Sequence, residues 1–265
     1  MLPPERVAAA EYAKRRVLAD VTETRFGTFV HDTDHATRAA ATQFLDARLP
    51  TAETSTPRAC DSVCRDQAAR ALLARVDSLY DGYSLPHRAI AGVDAATAGR
   101  LAPLARARGY EREDYWALIP HLVDPPTADH DVDIDARTHG SDAALAVHES
   151  VGRDPEGVAY AAAVAGELDG TELVAFRDGS PVGVAGWYVH GGARDDEPVA
   201  RLTHVGVRPD VQDEGVGAEL VRAVVGRCPL APARVVVCAT PERVGFYEEL
   251  GFVRNNAFWR FARLP

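Results

Sequence analysis

The C-terminal half of the chain shows apolar and polar patterns that change regularly from strand to helix periodicity. Val132, Ile134 and Ala136 alternate with charged residues, which predicts a strand with one buried face. Two helices are predicted next, over 141–152 and 155–170. The first begins at a serine suited to capping, and the second has a proline near its start and a glycine past its end.

The pattern after these helices predicts a sheet with one parallel crossover. Strands over 171–178 and 181–190 are separated by Gly179 and Ser180, a pair typical of a hairpin turn. The order of all predicted elements after residue 131 is β-α-α-β-β-β-α-β-α-β. This order predicts a mixed α/β fold, in which a twisted mixed sheet is flanked by helices on both faces. Its later elements are a strand over 199–207, a helix over 218–227, a strand apolar on both sides over 233–240, a short helix over 241–251 and a closing strand.

The N-terminal half carries a weaker copy of the same pattern. The segment GYEREDYW (109–116) resembles GFVRNNAFW (251–259), and each follows a helix that follows an apolar strand. A polar, proline-containing stretch over 121–133 is typical of a linker. We therefore predict a tandem repeat of two domains, a degenerate or helical α/β domain over 1–125 and a second α/β domain over 126–265.

Composition limits the partners that the protein is expected to have. The chain has 265 residues, 46% hydrophobic and 26% charged, as is usual for a globular domain protein. No apolar run reaches the ~18 residues that span a bilayer, and the N-terminus lacks the apolar core of a secretory signal. We expect a cytoplasmic protein with no membrane partner. The net charge of −10 would repel phosphates, so no nucleic-acid partner is expected.

The cysteines give little indication of a metal site. Cys60 and Cys64 lie one helical turn apart, a spacing that suits either a metal or a redox pair. No second pair of Cys or His stands nearby at the spacing of zinc ligands. Two free thiols are the simpler interpretation, and we predict no metal site.

The stretch VRPDVQDEGVGAELVRAVV (207–225) places two glycines where a strand passes into a helix. Gln212, Gly215 and Gly217 form the pattern Q-x-x-G-x-G at the helix start. The first turn of a helix offers free N–H groups and a partial positive charge, which suit phosphate oxygens. A dinucleotide-binding turn would need another glycine spacing. A Walker loop would need a Gly-Lys pair, which is absent because Lys14 is the only lysine. Between Gly27 and Gly82 no glycine occurs, so the first copy is not expected to bind a cofactor in this way.

Three motifs together make residues 131–265 similar to the GNAT superfamily of acyl-CoA-dependent N-acyltransferases. They are the strand ARLTHVGVRP, the QDEGVG turn and GFYEELGF (245–252). The resemblance implies a GNAT-like twisted mixed sheet with a related N-terminal α/β domain that resembles a degenerate GNAT repeat. It also implies that acetyl-CoA (coenzyme A) is the co-substrate. The strand before the turn is then expected to part from the next parallel strand, so that the pantetheine arm fits between them.

Transferred position by position, the resemblance implies a set of cofactor-binding residues. Backbone N–H groups of the turn would bind the diphosphate, and backbone groups of the preceding strand would pair with pantetheine. The thioester carbonyl would be polarised by a backbone N–H near Val205. The implied residues are Val205, Gly206, Val207, Gln212, Asp213, Glu214, Gly215, Val216, Gly217 and Ala218.

The resemblance also implies that Tyr247 acts as the catalytic general acid. A phenol with a pKa of ~10 can give a proton to a departing thiolate at neutral pH if it lies within hydrogen-bond reach. The alternative is an aromatic residue that only packs the short helix against the sheet.

The general base is left open by the sequence. The strand positions where GNAT proteins often carry a base hold Thr203 and Arg201. His204 is adjacent, but strand alternation directs it to the other face from Thr203 unless a bulge intervenes. The acidic residues at 195–197 could line an acceptor cleft or simply be solvated, and a water relay is a further alternative.

The expected function is transfer of an acetyl or short acyl group to an amine by direct attack within a ternary complex. The acceptor is a small-molecule or peptide amine, and the negative charge of the protein favours a cationic one. The alternative is a non-catalytic acyl-CoA-binding or regulatory module, with the N-terminal copy as a homodimer or partner surface.

Overall fold

A computed structural model describes residues 1–35, 38, 41–49, 61–121, 132–191 and 198–264. The chain divides into two compact units that are not contiguous in sequence. The large unit contains Met1–Val17 and Trp116–Asn255, and the small unit contains Leu18–Tyr115 and Asn256–Pro265. The predicted domain boundary between residues 125 and 126 lies outside the described residues and stays a prediction.

Both halves of the chain contain strands and helices that alternate along the sequence. The division between the units falls within the strand Glu111–Pro120 and within the strand Phe252–Arg263. The elements are α1 (Pro4–Arg16), β1 (Asp20–Thr24), β2 (Gly27–His31), β3 (Thr42–Leu45), α2 (Asp61–Gly82), β4 (Arg88–Gly92), α3 (Ala95–Arg106), β5 (Glu111–Pro120), β6 (Asp133–Arg137), α4 (Asp142–Ser150), α5 (Pro155–Glu167), β7 (Thr171–Arg177), β8 (Ser180–His190), β9 (Val199–Val207), α6 (Val216–Arg227), β10 (Val235–Ala239), α7 (Pro241–Glu249) and β11 (Phe252–Arg263).

The sheet of the large unit has the strand order β6-β7-β8-β9-β10-β5. Strands β6 to β9 are antiparallel to their neighbours, whereas β9 and β10 are parallel. Strand β10 then pairs antiparallel with the end of β5, where Val237 faces Leu118. The predicted mixed sheet is therefore confirmed, and it contains the parallel crossover from β9 through α6 to β10.

Helices cover both faces of this sheet because successive strand residues point to opposite sides. Val174 and Val184 pack against α4 on one face. Leu173 and Ala175 belong to the larger core on the other face, which includes the apolar side of α6. The predicted fold class is therefore confirmed: the sheet is mixed, and helices cover both of its faces. The residues of α6 in this core are Val216, Leu220, Val221, Ala223, Val224 and Val225.

Two local predictions differ from the structure. The tight turn between β7 and β8 is formed by Asp178 and Gly179, whose φ values are +50° and +74°, not by Gly179 and Ser180. Two successive left-handed residues suit the twist of a hairpin, and Asp and Gly tolerate this conformation. Ser141 stands at the predicted cap position of α4, but its side chain makes no capping hydrogen bond.

The small unit has its own set of strands and its own core. Its strand order is β1-β2-β3-β4-β11, and β4 pairs antiparallel with Trp259–Arg263 of the last strand. Helices α2 and α3 supply much of the apolar packing. The core includes Phe29, Phe44, Leu72, Leu73, Tyr80, Ile90, Leu101, Trp259 and Phe261.

The sequence similarity between 109–116 and 251–259 corresponds to the same local structure. The order β4-α3-β5 in one half matches β10-α7-β11 in the other. Gly109 and Gly251 both have positive φ, +78° and +85°, at the turn from helix to strand. The following aromatic residues, Tyr110 and Phe252, are both buried. The glycines are required here because the left-handed conformation ends each helix.

Candidate functional site

Strands β9 and β10 pair over only two residues before they separate. The parallel pairs are Ala200 with Val235 and Arg201 with Val236. Both strands continue beyond these pairs, and all of their residues are described, but no further pairing joins them. Strand β9 remains paired with β8 as far as Val207, so the separation opens only toward β10. The carboxyl ends of two parallel strands therefore leave a wedge-shaped gap in the sheet.

The segment after β9 forms a compact turn that leads into α6. A short 3-10 turn over Pro209–Val211 is followed by Gln212, whose side-chain amide donates a hydrogen bond to the carbonyl of Val207 at 3.0 Å. Asp213 and Gly215 both have positive φ, +65° and +84°. Gly215 is the residue before the first turn of the helix, a position where a left-handed conformation favours glycine.

The first turn of α6 presents unpaired backbone donors beside the gap. Within the described residues, no acceptor is found for the N–H groups of Val216, Gly217 and Ala218, as is usual at a helix start. These donors and the helix dipole create a positive potential at this point. The turn places residues 212–218 immediately after the strand that borders the gap.

The two acidic side chains of the turn, Asp213 and Glu214, are both exposed. Glu214 forms an ion pair with Arg177 at the end of β7. Arg177 therefore offsets part of the negative charge that the turn carries. Asp213 is also exposed, and its backbone adopts the left-handed conformation that Asp tolerates better than most residues.

Gly217 lies between β9 and α7. A Cβ atom added here would contact a Val207 methyl at 3.5 Å and the Phe246 ring at 3.6 Å. These are ordinary van der Waals distances. The site thus brings the start of α6, the end of β9 and the aromatic side of α7 together.

Tyr247 is almost completely buried beside this gap. Its ring packs edge-on against Phe246 and Phe252, at centroid distances of 5.0 and 5.6 Å. Burial raises the pKa of the Tyr247 phenol, an effect partly opposed by the Arg201 and Arg243 guanidinium groups. The phenol therefore remains protonated at neutral pH, as a general acid requires. The burial of the Tyr247 ring fits a packing role, and its protonated phenol fits a role as general acid.

A bulge in β9 changes the faces of the residues that were considered as bases. Ala185 pairs with Val205 and Trp187 with Leu202, so Gly186 alone lies opposite both Thr203 and His204. A bulge of this kind lets neighbouring side chains reach one face. His204 consequently points toward the face that carries Glu172, with 3.1 Å between its Nε2 atom and Glu172 Oε1.

Three histidines surround the buried carboxylate of Glu172. Besides His204, the Nε2 atom of His148 lies 3.4 Å and the Nδ1 atom of His139 lies 3.7 Å from the same oxygen. The other carboxylate oxygen accepts a hydrogen bond from the Gly140 N–H at 3.2 Å. Burial would raise the pKa of Glu172, but the hydrogen bonds from the histidines hold it well below its usual range. Sequence spacing gave no signal of this cluster.

The guanidinium of Arg201 cannot act as a base because it stays protonated, and it is buried in an ion pair with the first helix. Its Nε atom lies 2.6 Å from Glu11 Oε2, and Lys14 Nζ lies 2.7 Å from Glu11 Oε1. Burial alone would raise the pKa of Glu11, but Arg201, Lys14 and Arg15 together lower it well below its usual value. The hydroxyl of Tyr188 also donates to the Ala10 carbonyl at 2.8 Å. Helix α1 thus packs against β8 and β9, a position that the sequence did not indicate.

Other residues considered in the sequence contribute less. The acidic residues 195–197 and Cys60 lie outside the described residues, and the side chain of Cys64 is not described. No helix within the described ranges combines the length and apolar character needed to cross a bilayer.

Comparison with known proteins identifies the same segment. Residues 146–262 match a family model described as an acetyltransferase (GNAT) domain. A GCN5-related N-acetyltransferase from Kribbella flavida is 18% identical with a TM-score of 0.62, and the match covers 99% of this chain and 96% of that one. A functionally unknown conserved protein from Staphylococcus epidermidis ATCC 12228 is 17% identical, with a TM-score of 0.62 and coverage of 95% and 96%.

A tandem GNAT protein from the clavulanic acid biosynthesis pathway is also similar in structure. It is 14% identical with a TM-score of 0.53, and the match covers 84% of this chain and 74% of that one. At such identities the structural likeness establishes the fold alone. No curated protein matches the sequence.

Proposed function

We propose that the protein transfers an acetyl or short acyl group from coenzyme A to an amine, because residues 146–262 match the family model of an acetyltransferase (GNAT) domain. The observation that carries the proposal is the separation of β9 and β10 after Arg201 and Val236. Two parallel strands that part beside a helix start leave unpaired strand backbone next to unpaired helix donors. An extended chain that ends in a diphosphate is complementary to both.

The turn supplies the diphosphate-binding part of the site. The backbone N–H groups within Gln212–Ala218 would donate to the phosphate oxygens, aided by the dipole of α6. The side chain of Glu214 is held by Arg177, so it does not place an unpaired charge there. The unpaired edge of β9 at Val205, Gly206 and Val207 would pair with the amides of the pantetheine arm.

The reaction that these residues support is direct attack within a ternary complex. The nitrogen of the neutral amine forms a bond to the thioester carbon, and the backbone N–H near Val205 stabilises the oxyanion that develops. The carbon–sulfur bond then breaks, and Tyr247 gives its proton to the departing thiolate. The amine loses one proton to solvent or to a base, and the Tyr247 phenolate takes up one proton from solvent, which restores the phenol. The products are an amide and free coenzyme A.

A second function is favoured by one specific observation. Arg201, at a strand position where a base is often found, is tied to Glu11 and cannot accept a proton. A chain that binds acyl-CoA without turnover would have no need of a base there. A non-catalytic acyl-CoA-binding module is therefore the alternative to the enzyme.

Release of free thiol from acetyl-CoA tests the proposal. The substrate panel contains a polyamine, an aminoglycoside, free amino acids and a peptide with a free N-terminus. We expect at least one amine to support turnover, with a preference for cationic acceptors because the protein is acidic. Tyr247→Phe should lower kcat by about 100-fold or more, as expected for loss of a general acid.

The matched control is Tyr83→Phe, which removes a hydroxyl from an exposed tyrosine in the small unit. This variant should retain wild-type turnover. If no amine supports turnover while acetyl-CoA binds in calorimetry, the binding module replaces the enzyme. If acetyl-CoA does not bind at all, both functions are excluded.

A further inference from the structure

We infer that His148, Glu172 and His204 form a binding site for a divalent transition-metal ion of the zinc class. The site lies in the large unit and joins three different elements, helix α4 and strands β7 and β9. The proposed acyl transfer does not use a metal, so this inference goes beyond that function and does not rest on it. It also departs from the absence of a metal site predicted from sequence spacing.

Two of the three separations between the candidate ligand atoms are close to those of a tetrahedral site. One nitrogen from each of His148 and His204 and one oxygen of Glu172 all lie within 4.8 Å of one another. Bond lengths of about 2.0–2.1 Å to zinc require ligand atoms about 3.3 Å apart. Glu172 Oε1 lies 3.1 Å from His204 Nε2 and 3.4 Å from His148 Nε2. Only a small adjustment would bring all three atoms into a metal's coordination sphere.

The surroundings of the cluster hold the ligands in place. The second oxygen of Glu172 accepts the Gly140 N–H, and such outer hydrogen bonds orient carboxylate ligands. The bulge at Gly186 turns His204 toward Glu172. His139, with its Nδ1 atom 3.7 Å from the same Glu172 oxygen, is a candidate for a fourth ligand. The donors therefore lie on regular elements and the loop that precedes α4.

Charge favours a cation at the centre of the cluster. The side chain of Glu172 is 2% exposed, and those of His148 and His204 are 4% and 11% exposed. A buried carboxylate is costly in a low-dielectric environment unless other charges compensate it, and Arg153 is close enough to Glu172 to supply part of that compensation. A divalent ion would add to the compensation and would use the ring-nitrogen lone pairs of the two histidines.

The donor set selects the class of ion. Imidazole nitrogen and carboxylate oxygen suit zinc and neighbouring transition metals, whereas magnesium and calcium prefer oxygen ligands alone. The depth of burial is typical of a structural site, in which protein groups fill the coordination sphere. We assign the ion the role of fastening α4 to β7 and to β9, the strand that borders the gap.

Zinc titration of the full-length chain, stripped with a chelator and followed by calorimetry, tests the assignment. We expect about one equivalent of tightly bound zinc, and an increase of several degrees in Tm on zinc addition. Cobalt(II) addition should give the visible absorption of a tetrahedral site. His148→Ala, His204→Ala and Glu172→Gln should each weaken zinc binding by at least about 100-fold.

The control is His121→Ala, which removes an exposed histidine of the same unit. It should bind zinc as the wild type does. The cobalt spectrum of the wild-type protein needs no substitution, so it decides the matter even if the Glu172 variant does not fold. Absence of tight zinc binding by the wild type, or binding that persists unchanged in the His148 and His204 variants, would overturn the assignment.

Discussion

The side-chain amide of Gln212 donates a hydrogen bond to the carbonyl of Val207, with 3.0 Å between the two atoms. This bond joins the turn to the last residue of β9. The turn is therefore fixed at the end of the strand that separates from β10. Because the side chain fastens the turn from within, the backbone N–H groups of the turn are left for a ligand.

Gln212→Ala should weaken acetyl-CoA binding without unfolding the protein. A single hydrogen bond of this kind contributes about 0.5–1.5 kcal/mol, so we expect Kd to rise by roughly 2- to 10-fold. Calorimetric titration gives the affinity, and circular dichroism checks the fold. Gln67→Ala, at an exposed position on α2, is the control and should leave Kd unchanged. An unchanged Kd for Gln212→Ala would show that the turn does not need this bond.

Gly217→Glu should abolish acetyl-CoA binding and leave the fold intact. The added Cβ would meet only ordinary contacts with Val207 and Phe246, so the backbone need not move. The carboxylate would oppose the diphosphate at the helix start, where the N–H donors lie. Calorimetry measures the loss. Gly226→Glu adds the same charge at the exposed far end of the same helix and should still bind, which separates local repulsion from total charge. Binding by Gly217→Glu at wild-type affinity would remove the assignment of the turn.

Turnover should not decline through ionisation of Tyr247 at any pH below about 10. Burial raises the pKa of this phenol above its ordinary value of ~10. The proton-carrying form is the acid, so a raised pKa keeps it available throughout the neutral and mildly alkaline range. We expect kcat at saturating amine to level off and stay flat up to about pH 10. A falling limb centred near pH 8 that disappears in Tyr247→Phe would contradict this placement.

Much of the large unit could be predicted from the sequence because its elements have strong local signals. The strand over 199–207 and the glycine turn after it match the structure closely. The buried run that contains β10 is apolar without alternation, as expected of a covered strand. Helix α7 begins at Pro241 and ends shortly before Gly251, the two residues that predicted its ends.

The histidine cluster could not be predicted because its members are distant in sequence. His148, Glu172 and His204 come from three elements, and no spacing rule connects them. His204 also reaches Glu172 through the bulge opposite Gly186, which the alternating pattern of β9 does not reveal. Local periodicity reports which face a regular strand buries, not where its register shifts.

The place of the first helix was also hidden from the sequence. Met1–Val17 packs in the large unit, although it lies far along the chain from the other elements there. A buried ion pair between Glu11 and Arg201 joins this helix to β9. A single acidic residue on a helix is indistinguishable, in the sequence, from a solvated one.

That ion pair gives a prediction about stability. Glu11→Gln keeps the shape of the side chain but leaves the Arg201 guanidinium buried without its carboxylate partner. Removal of one partner from a buried ion pair costs about 3–5 kcal/mol, so chemical denaturation should show a decrease of this order in the free energy of unfolding. Glu5→Gln, at an exposed position of the same helix, is the control and should have little effect.

The pH dependence of this difference distinguishes lost charge from lost packing. Arg201 and the neighbouring cations lower the folded-state pKa of Glu11, so its contribution to stability is fully present above the unfolded pKa of about 4.3. The contribution is lost as pH falls from there toward the folded-state pKa. The gap in unfolding free energy between wild type and Glu11→Gln should therefore be constant above about pH 5 and narrow in more acidic solution. A gap that stays constant down to pH 3 would mean that the carboxylate charge contributes nothing, and that α1 is held by its apolar contacts alone.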